Sequence, residues 1–291
     1  MSRAPRSHAD QIFSETVSSQ DRGLLYGDGV FETVRCRHGR LLLWDLHQQR
    51  LRSACRVLGL TIEPNDLDSL IADAIIHAPS PDCILKVIVT RGVGGRGYAP
   101  PAAGMCTMLF QWHDLPVNFS ENAQQGVDLC VCRHPLSVNP VTAGIKHLNR
   151  LDQVLASREL SDVALQIPSV REGLMLDVDA NLIEGTRSNV FMMLNEQLCT
   201  PALSRCGVDG VMRNHLLALF AAHGVDVVIR TIPYQEIRQC SEIFVCNSVF
   251  GVWPAMRLID IHAHGGEQQQ EFHDTTMARM AQQWLHNEFP T

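Results

Sequence analysis

The chain has 291 residues, 45% hydrophobic and 19% charged, the make-up of a globular protein with one large or two medium domains. Its net charge of -7 provides no basic footprint for nucleic acid or for an anionic membrane surface. Ten cysteines stand singly without CxxC spacing, no apolar run approaches membrane-spanning length, and the N-terminus has no apolar leader core, so a reduced, cytoplasmic protein is expected.

Residues 1–20 are polar and are expected to form an edge strand or a partly ordered start. Gly23, Gly27 and Gly29 mark a tight turn before an alternating strand from Val30 to Arg35. No Gly-Lys-Ser/Thr follows, which excludes a phosphate-binding P-loop. A hairpin turn at Arg37–Arg40 leads to a second strand over Leu41–Trp44. Asp45 is placed to cap a helix that Gly59 ends, and Pro64–His77 has the apolar period of another. Cys83–Thr90 reads as a buried strand running into a loop with four glycines, Arg91, Arg96 and Tyr98, and Met105–Trp112 as a further strand.

The polar stretch 113–125 is expected to link an α+β domain, 1–112, to a second domain, 126–291. In the latter, Val127–Cys132 reads as a strand. Leu148–Leu160 reads as a helix with Leu148, Leu151, Val154, Leu155 and Arg158 on one stripe. Val163–Ile167, Gly173–Asp177 and the end of Ile183–Leu194 are strand-like, with a hairpin at Asn195-Glu196. A helix is expected from Arg213 to His223, strands over Val225–Arg230 and Glu242–Cys246, and a closing amphipathic helix over Arg279–Glu288.

Among 24 basic residues only Lys86 and Lys146 are lysines, so chemistry that needs a primary side-chain amine has two choices. Lys86 lies within strand formers. Lys146 stands beside Gly144 where a loop meets a helix, a setting for a desolvated amine that forms Schiff bases; taken alone, it reads more readily as a solvated lysine at a helix start. Cys130, Cys132 and His134 alternate on one strand face, but without a fourth ligand at zinc spacing they read as core, and no metal is expected. Glu184 is a carboxylate next to Gly185, a helix start at Gly210-Val211-Met212 offers N–H groups to a phosphate, and Ser248 and Arg50 can add to such a cradle. A lysine, an acid and an anion cradle are what pyridoxal phosphate requires, although spacing alone does not select that cofactor.

The ordered set Asp21-Arg-Gly…Gly27-Asp-Gly-Val-Phe-Glu-Thr33, His47-Gln-Gln-Arg-Leu51, Lys146, Glu184-Gly-Thr-Arg-Ser-Asn-Val-Phe191, Gly210-Val-Met-Arg213 and Asn247-Ser248 resembles the fold-type IV pyridoxal phosphate enzymes. That group includes branched-chain and D-amino acid aminotransferases and 4-amino-4-deoxychorismate lyases. The resemblance implies a two-domain α+β fold, a smaller N-terminal α/β domain and a larger domain with a barrel-like sheet. Thr90-Arg-Gly-Val-Gly-Gly-Arg-Gly-Tyr98 and Gly144-Ile-Lys-His-Leu-Asn-Arg-Leu151 are similar to the lyases, and Leu151 stands where branched-chain aminotransferases carry tyrosine. The Glu184-Gly-Thr-Arg-Ser-Asn189 motif is closer to the general family form, which keeps a D-amino acid or branched-chain aminotransferase as the alternative.

The resemblance implies pyridoxal 5'-phosphate joined to Lys146, with Arg50, the Val211 and Met212 N–H groups and Ser248 on its phosphate, Glu184 at its ring nitrogen and Asn189 nearby. Arg91, Arg96, Tyr98 and His147 are the expected substrate contacts. It also implies elimination of pyruvate to give 4-aminobenzoate, a step of folate biosynthesis, by a cytoplasmic homodimer.

Overall fold

The computed structural model describes residues 16–62, 64–101, 104–261 and 268–290. The expected start over residues 1–20 lies mostly outside them. The chain divides into two compact units, one taking residues up to Pro116 with Ile145–Asn149, the other Val117–Gly144 with Arg150–Thr291. The lysine-bearing segment is therefore part of the first unit. The polar stretch before residue 126 is not a bare linker, because it holds a helix of its own, Phe119–Gln125.

In the first unit, helix α1 (Arg22–Tyr26) is capped by Asp21, whose carboxylate accepts from Gly23 N–H at 2.7 Å. Gly27 closes it at φ 65°, where a side chain would also collide with Asn149. Strands β1 (Gly29–Arg37) and β2 (Arg40–Leu41) flank a two-residue turn, His38 and Gly39, both at positive φ. The expected second strand stops at Leu41, because Leu43 turns left-handed at φ 54° and helix α2 (Trp44–Leu58) starts at once. Helix α3 (Pro64–Ile76) and strands β3 (Cys83–Thr90) and β4 (Thr107–His113) complete the unit. The sheet order is β2-β1-β3-β4, antiparallel throughout.

Strand alternation sends Val30, Glu32, Val34 and Cys36 of β1 to the buried face. Leu51 and Ala54 of α2, Leu67 and Leu70 of α3, and Leu85, Val87 and Val89 of β3 join Val30 in one core. Glu32 thus occupies a position in β1 that the pleat assigns to an apolar residue.

The second unit begins with α4 (Phe119–Gln125) and β5 (Val127–Val131). Helix α5 (Leu151–Gln166) starts three residues later than expected and absorbs most of the run expected as a strand, Val163–Ile167. Its buried residues are Ala156, Leu160 and Val163, whereas Leu151, Val154 and Leu155 are exposed. Burying Val163 on that stripe overrides the β preference of the sequence around it.

Strands β6 (Val170–Leu176), β7 (Asn181–Gly185), β8 (Asn189–Leu194) and β9 (Gln197–Pro201) follow, with Asn195 and Glu196 left-handed in the β8–β9 turn. Helix α6 (Val211–Ala222), strands β10 (Val227–Arg230) and β11 (Ile232–Pro233), helix α7 (Tyr234–Ile237), strands β12 (Glu242–Asn247), β13 (Gly251–Asp260) and β14 (Gln268–Glu271), and helix α8 (Thr276–Glu288) complete it. The ten strands form one mixed sheet ordered β10-β9-β8-β12-β13-β5-β6-β7-β11, with β14 on β13. Its long turn-point is β13, which pairs with β12 over Gly251–Pro254 and with β5 from Ala255 onward. Strands β7, β11, β13 and β14 have no counterpart among the expected strands, and β9 is implied only by the expected hairpin at Asn195-Glu196.

An aromatic cluster holds α6 and α8 to this sheet. Phe191 of β8 stacks on Phe244 of β12 at 5.0 Å, and Phe220 of α6 meets Phe191 at 6.0 Å and Trp284 of α8 edge-on at 5.4 Å. All three phenylalanines are fully buried. Replacing Phe191 with Ala should cost about 3–5 kcal/mol of unfolding free energy in a urea titration. A loss near that of a surface substitution would show that the cluster does not hold the helices.

Candidate active site

Each unit carries its own part of the expected site. In the first, Ile145–Asn149 runs beside the start of β1: Phe31 N–H donates to the Lys146 carbonyl and Leu148 N–H to the Gly29 carbonyl, both at 2.9 Å. Val30 and His147 are bridge partners. Lys146 is fixed in a strand-like segment, five residues before α5, rather than at a helix start. Its Nζ lies 4.5 Å from the Phe31 ring centre, and Nζ of Lys86 lies 5.4 Å from that ring. The two lysines of the chain therefore share one aromatic neighbour.

Behind Phe31, Glu32 receives Arg50 through Nε at 2.8 Å and Nη2 at 2.5 Å, and lies 2.6 Å from His47 Nδ1. Burial alone would push the Glu32 pKa up; the Arg50 charge and the His47 and Arg50 hydrogen bonds win and hold it at about 2. Burial lowers the His47 pKa against the pull of Glu32, with the Arg50 and Lys146 charges adding to the lowering. A neutral His47 donating from Nδ1 satisfies this pattern. Expected as a phosphate contact, Arg50 is held in a defined direction by this buried carboxylate.

The glycine-rich loop after β3 is tied down rather than loose. Arg22 donates to Asp28 and to the carbonyls of Gly97, Tyr98 and Ala99. Arg91 donates to both Asp28 oxygens and to the carbonyls of Leu58 and Gly59 at the end of α2. Its fork is thereby committed to holding the loop. Arg96 is exposed, and Tyr98 projects outward, 87% exposed, with its ring against Tyr26.

In the second unit, the loop before α6 is the common element. Val208 N–H donates to Glu184 Oε2 at 2.7 Å, and the Val208 carbonyl accepts from Asn189 Nδ2 at 2.9 Å. Gly144 exchanges backbone bonds with Gly207 and Asp209 on the same loop. Gln153 Nε2 donates to the other Glu184 oxygen at 3.1 Å. At Gly210, the N-cap of α6, any side chain would collide with the Asn189 amide. The first turn of α6 then offers Val211 and Met212. Buried Arg213 clamps that turn to β9 by donating to Asp209, Thr200 Oγ1 and the Pro201 carbonyl. Ser248 lies in the β12–β13 turn, where Asn247 Oδ1 accepts from Val249 and Phe250 N–H and Asn247 Nδ2 reaches the Arg187 carbonyl.

Sequence reasoning did not find Glu172, Gln153 or Val208. Glu172 accepts from Gly173 and Thr186 N–H and from the Thr186 and Ser188 hydroxyls, building the β7–β8 turn between Glu184 and Asn189. Its flanking residues carry no motif. Cys130 and Cys132 are buried, as a core reading expects, and His134 pairs with Asp152 at 3.1 Å. Among the described residues no three His, Cys, Asp or Glu side chains group to hold a metal.

One loop of the second unit thus holds a buried carboxylate and a helix start stripped of side chain at its cap, and the first unit holds the Lys146 amine against Phe31. Residues 29–258 match the family model of class IV aminotransferases, and the chain belongs to that family. The family comprises fold-type IV enzymes that use pyridoxal 5'-phosphate. An aminodeoxychorismate lyase of Vibrio harveyi is 31% identical over 80% of this chain and 84% of its own length. The crystal structure of a 4-amino-4-deoxychorismate lyase from Pseudomonas aeruginosa is 38% identical, covers 97% of this chain and 98% of its own, and superposes with a TM-score of 0.86. A Mycobacterium tuberculosis aminotransferase solved in a pyridoxal phosphate-bound form shares the fold at 20% identity, with a TM-score of 0.76 over 95% of this chain and 94% of its own.

Because the folded state holds the Glu32 pKa near 2 against an ordinary value of 4.5, the unfolded chain binds more protons between those values. The stabilisation from Glu32 is complete above 4.5 and is lost as pH falls from 4.5 towards 2. The gap in unfolding free energy between wild type and Glu32→Gln should be widest near neutrality and narrow below about pH 4.5. A gap independent of pH would refute a charged Glu32.

Proposed function

We propose that the protein is an aminodeoxychorismate lyase, converting 4-amino-4-deoxychorismate to 4-aminobenzoate and pyruvate. The observation carrying this reading is likeness at 38% identity, nearly end to end, to a solved lyase of that name. The lyase-like loop from Thr90 to Tyr98 supports it over the aminotransferase alternative, and Leu151 in place of a tyrosine supports it over the branched-chain aminotransferases.

In this reading Lys146 holds the cofactor aldehyde. Arg50, the Val211 and Met212 N–H groups and Ser248 receive its phosphate, Glu184 receives its ring nitrogen, and Asn189 braces the loop between. The bound cofactor supplies an electron sink next to the substrate amine. With the cofactor bound, Lys146 Nζ would be the base that moves the proton of the carbon bearing the substrate amine. The C–O bond to the neighbouring enolpyruvyl group breaks, pyruvate leaves after taking up a proton, and the carbocycle becomes aromatic. That gain makes the step downhill, whereas an aminotransferase must return the proton to the cofactor and accept a 2-oxo acid. Arg96, Tyr98 and His147 are assigned to the substrate, with Arg91 fixing the loop that presents the first two. We further assign a homodimer, supported by the exposed Leu24, Leu25, Tyr26 and Tyr98 of the first unit, and a cytoplasmic location. Among the described residues no helix is long and apolar enough to cross a membrane.

Purified protein should form 4-aminobenzoate and pyruvate in equal amounts from aminodeoxychorismate. Turnover only of D-alanine with 2-oxoglutarate would replace the lyase by an aminotransferase. Lys146→Ala should lose the visible absorbance of the bound cofactor and the borohydride labelling of the chain. Retention of both would move the covalent link to Lys86.

A further inference from the structure

The proposed function asks Glu184 to face a protonated ring nitrogen, and the role of its neighbour Gln153 rests on that assignment. Glu184 is buried, and a carboxylate held by one donor can still rotate about its last bond. Val208 N–H fixes one of its oxygens and Gln153 Nε2 the other. With a donor on each oxygen, the plane of the carboxylate is set.

Gln153 is not an incidental neighbour. The buried stripe of α5 is Ala156, Leu160 and Val163, and Gln153 stands one turn before Ala156 on that stripe. A polar residue thus occupies an inward position, and its amide reaches a carboxylate 31 residues further along the chain. Arg150, at the N-cap of the same helix, feels the same carboxylate: burial lowers its pKa, and the charges of Glu184 and then Asp152 pull it back up. The start of α5 therefore directs a donor and a positive charge to the one carboxylate assigned to the ring.

We propose that Gln153 is a positioning residue that fixes the plane of the Glu184 carboxylate, so that the site selects a cofactor whose aromatic ring carries a protonated nitrogen. The consequence is a selectivity, separable from general support of the fold. Pyridoxal phosphate and an analogue with C–H in place of the ring nitrogen present the same aldehyde and phosphate, and only the first can donate to Glu184.

Gln153→Met keeps the bulk and removes the donor. Dissociation constants for both compounds, measured by absorbance titration of wild type and variant stripped of cofactor, test the proposal. Wild type should prefer the natural cofactor. Gln153→Met should weaken that cofactor about tenfold and the analogue less than about twofold. Equal weakening of both compounds, or no weakening of either, overturns the proposal. The thermal midpoint of the stripped variants reports folding, and Gln153→Ala, titrated with the same pair, decides if the Met variant does not fold. Loss of the lyase assignment alone would leave these ratios unchanged. Equal binding of both compounds by wild type would remove the role of Glu184 and the proposal with it.

Discussion

A buried carboxylate keeps its charge only where donors replace the water it has lost, and that requirement shapes both units of this protein. Glu32 is met by Arg50 and His47 in the first unit. Glu184 is met by Val208 and Gln153 in the second, and Glu172 by four donors around the β7–β8 turn. Apart from Gly173, which adjoins Glu172, the donors come from segments distant in sequence, so satisfying each carboxylate also fixes where those segments lie. Removing any of these carboxylates would leave its donors unsatisfied, at a cost of about 1–3 kcal/mol for each buried group.

The second unit uses this coupling economically. The Val208 peptide donates to Glu184 through its N–H and accepts from Asn189 through its carbonyl. Three residues later the chain enters α6, whose far end is locked by Phe220 into the aromatic cluster. The carboxylate and the helix start are thus held by one loop, with little freedom to move apart. A ligand gripping both would lose little to ordering the protein, which is the main physical gain of preorganisation.

How much of this the sequence discloses depends on the kind of signal. The elements marked by local chemistry are clear: Gly59 ends its helix, and the alternation of β1 places its core, whereas the short helix that Gly27 closes reads in the sequence only as a turn. Lys146, Glu184 and the α6 start are legible because they carry motif residues. Gln153 is hidden, because the apolar residues around it suggest the wrong face of α5: Leu151, Val154 and Leu155 have the period of a packed stripe and are exposed. Smaller Ala156 can approach the sheet closely, and with Leu160 and Val163 it decides the face. Glu172 is hidden for another reason. Its role consists of hydrogen bonds to a turn 14 to 16 residues away, and nothing local in a strand sequence encodes that.

Composition adds a constraint that no single motif states. An aldehyde is captured by an unprotonated amine, and a guanidinium does not supply one at physiological pH. In this chain every basic residue other than Lys86 and Lys146 is an arginine, so the side-chain amines open to an aldehyde are reduced to two. Both lie within reach of one ring, that of Phe31, whose N–H also donates to the Lys146 carbonyl. The attachments that Lys86 and Lys146 offer differ in rigidity. Lys86 extends from the centre of a four-stranded sheet, whereas Lys146 rides on a short segment held to β1 by two backbone bonds.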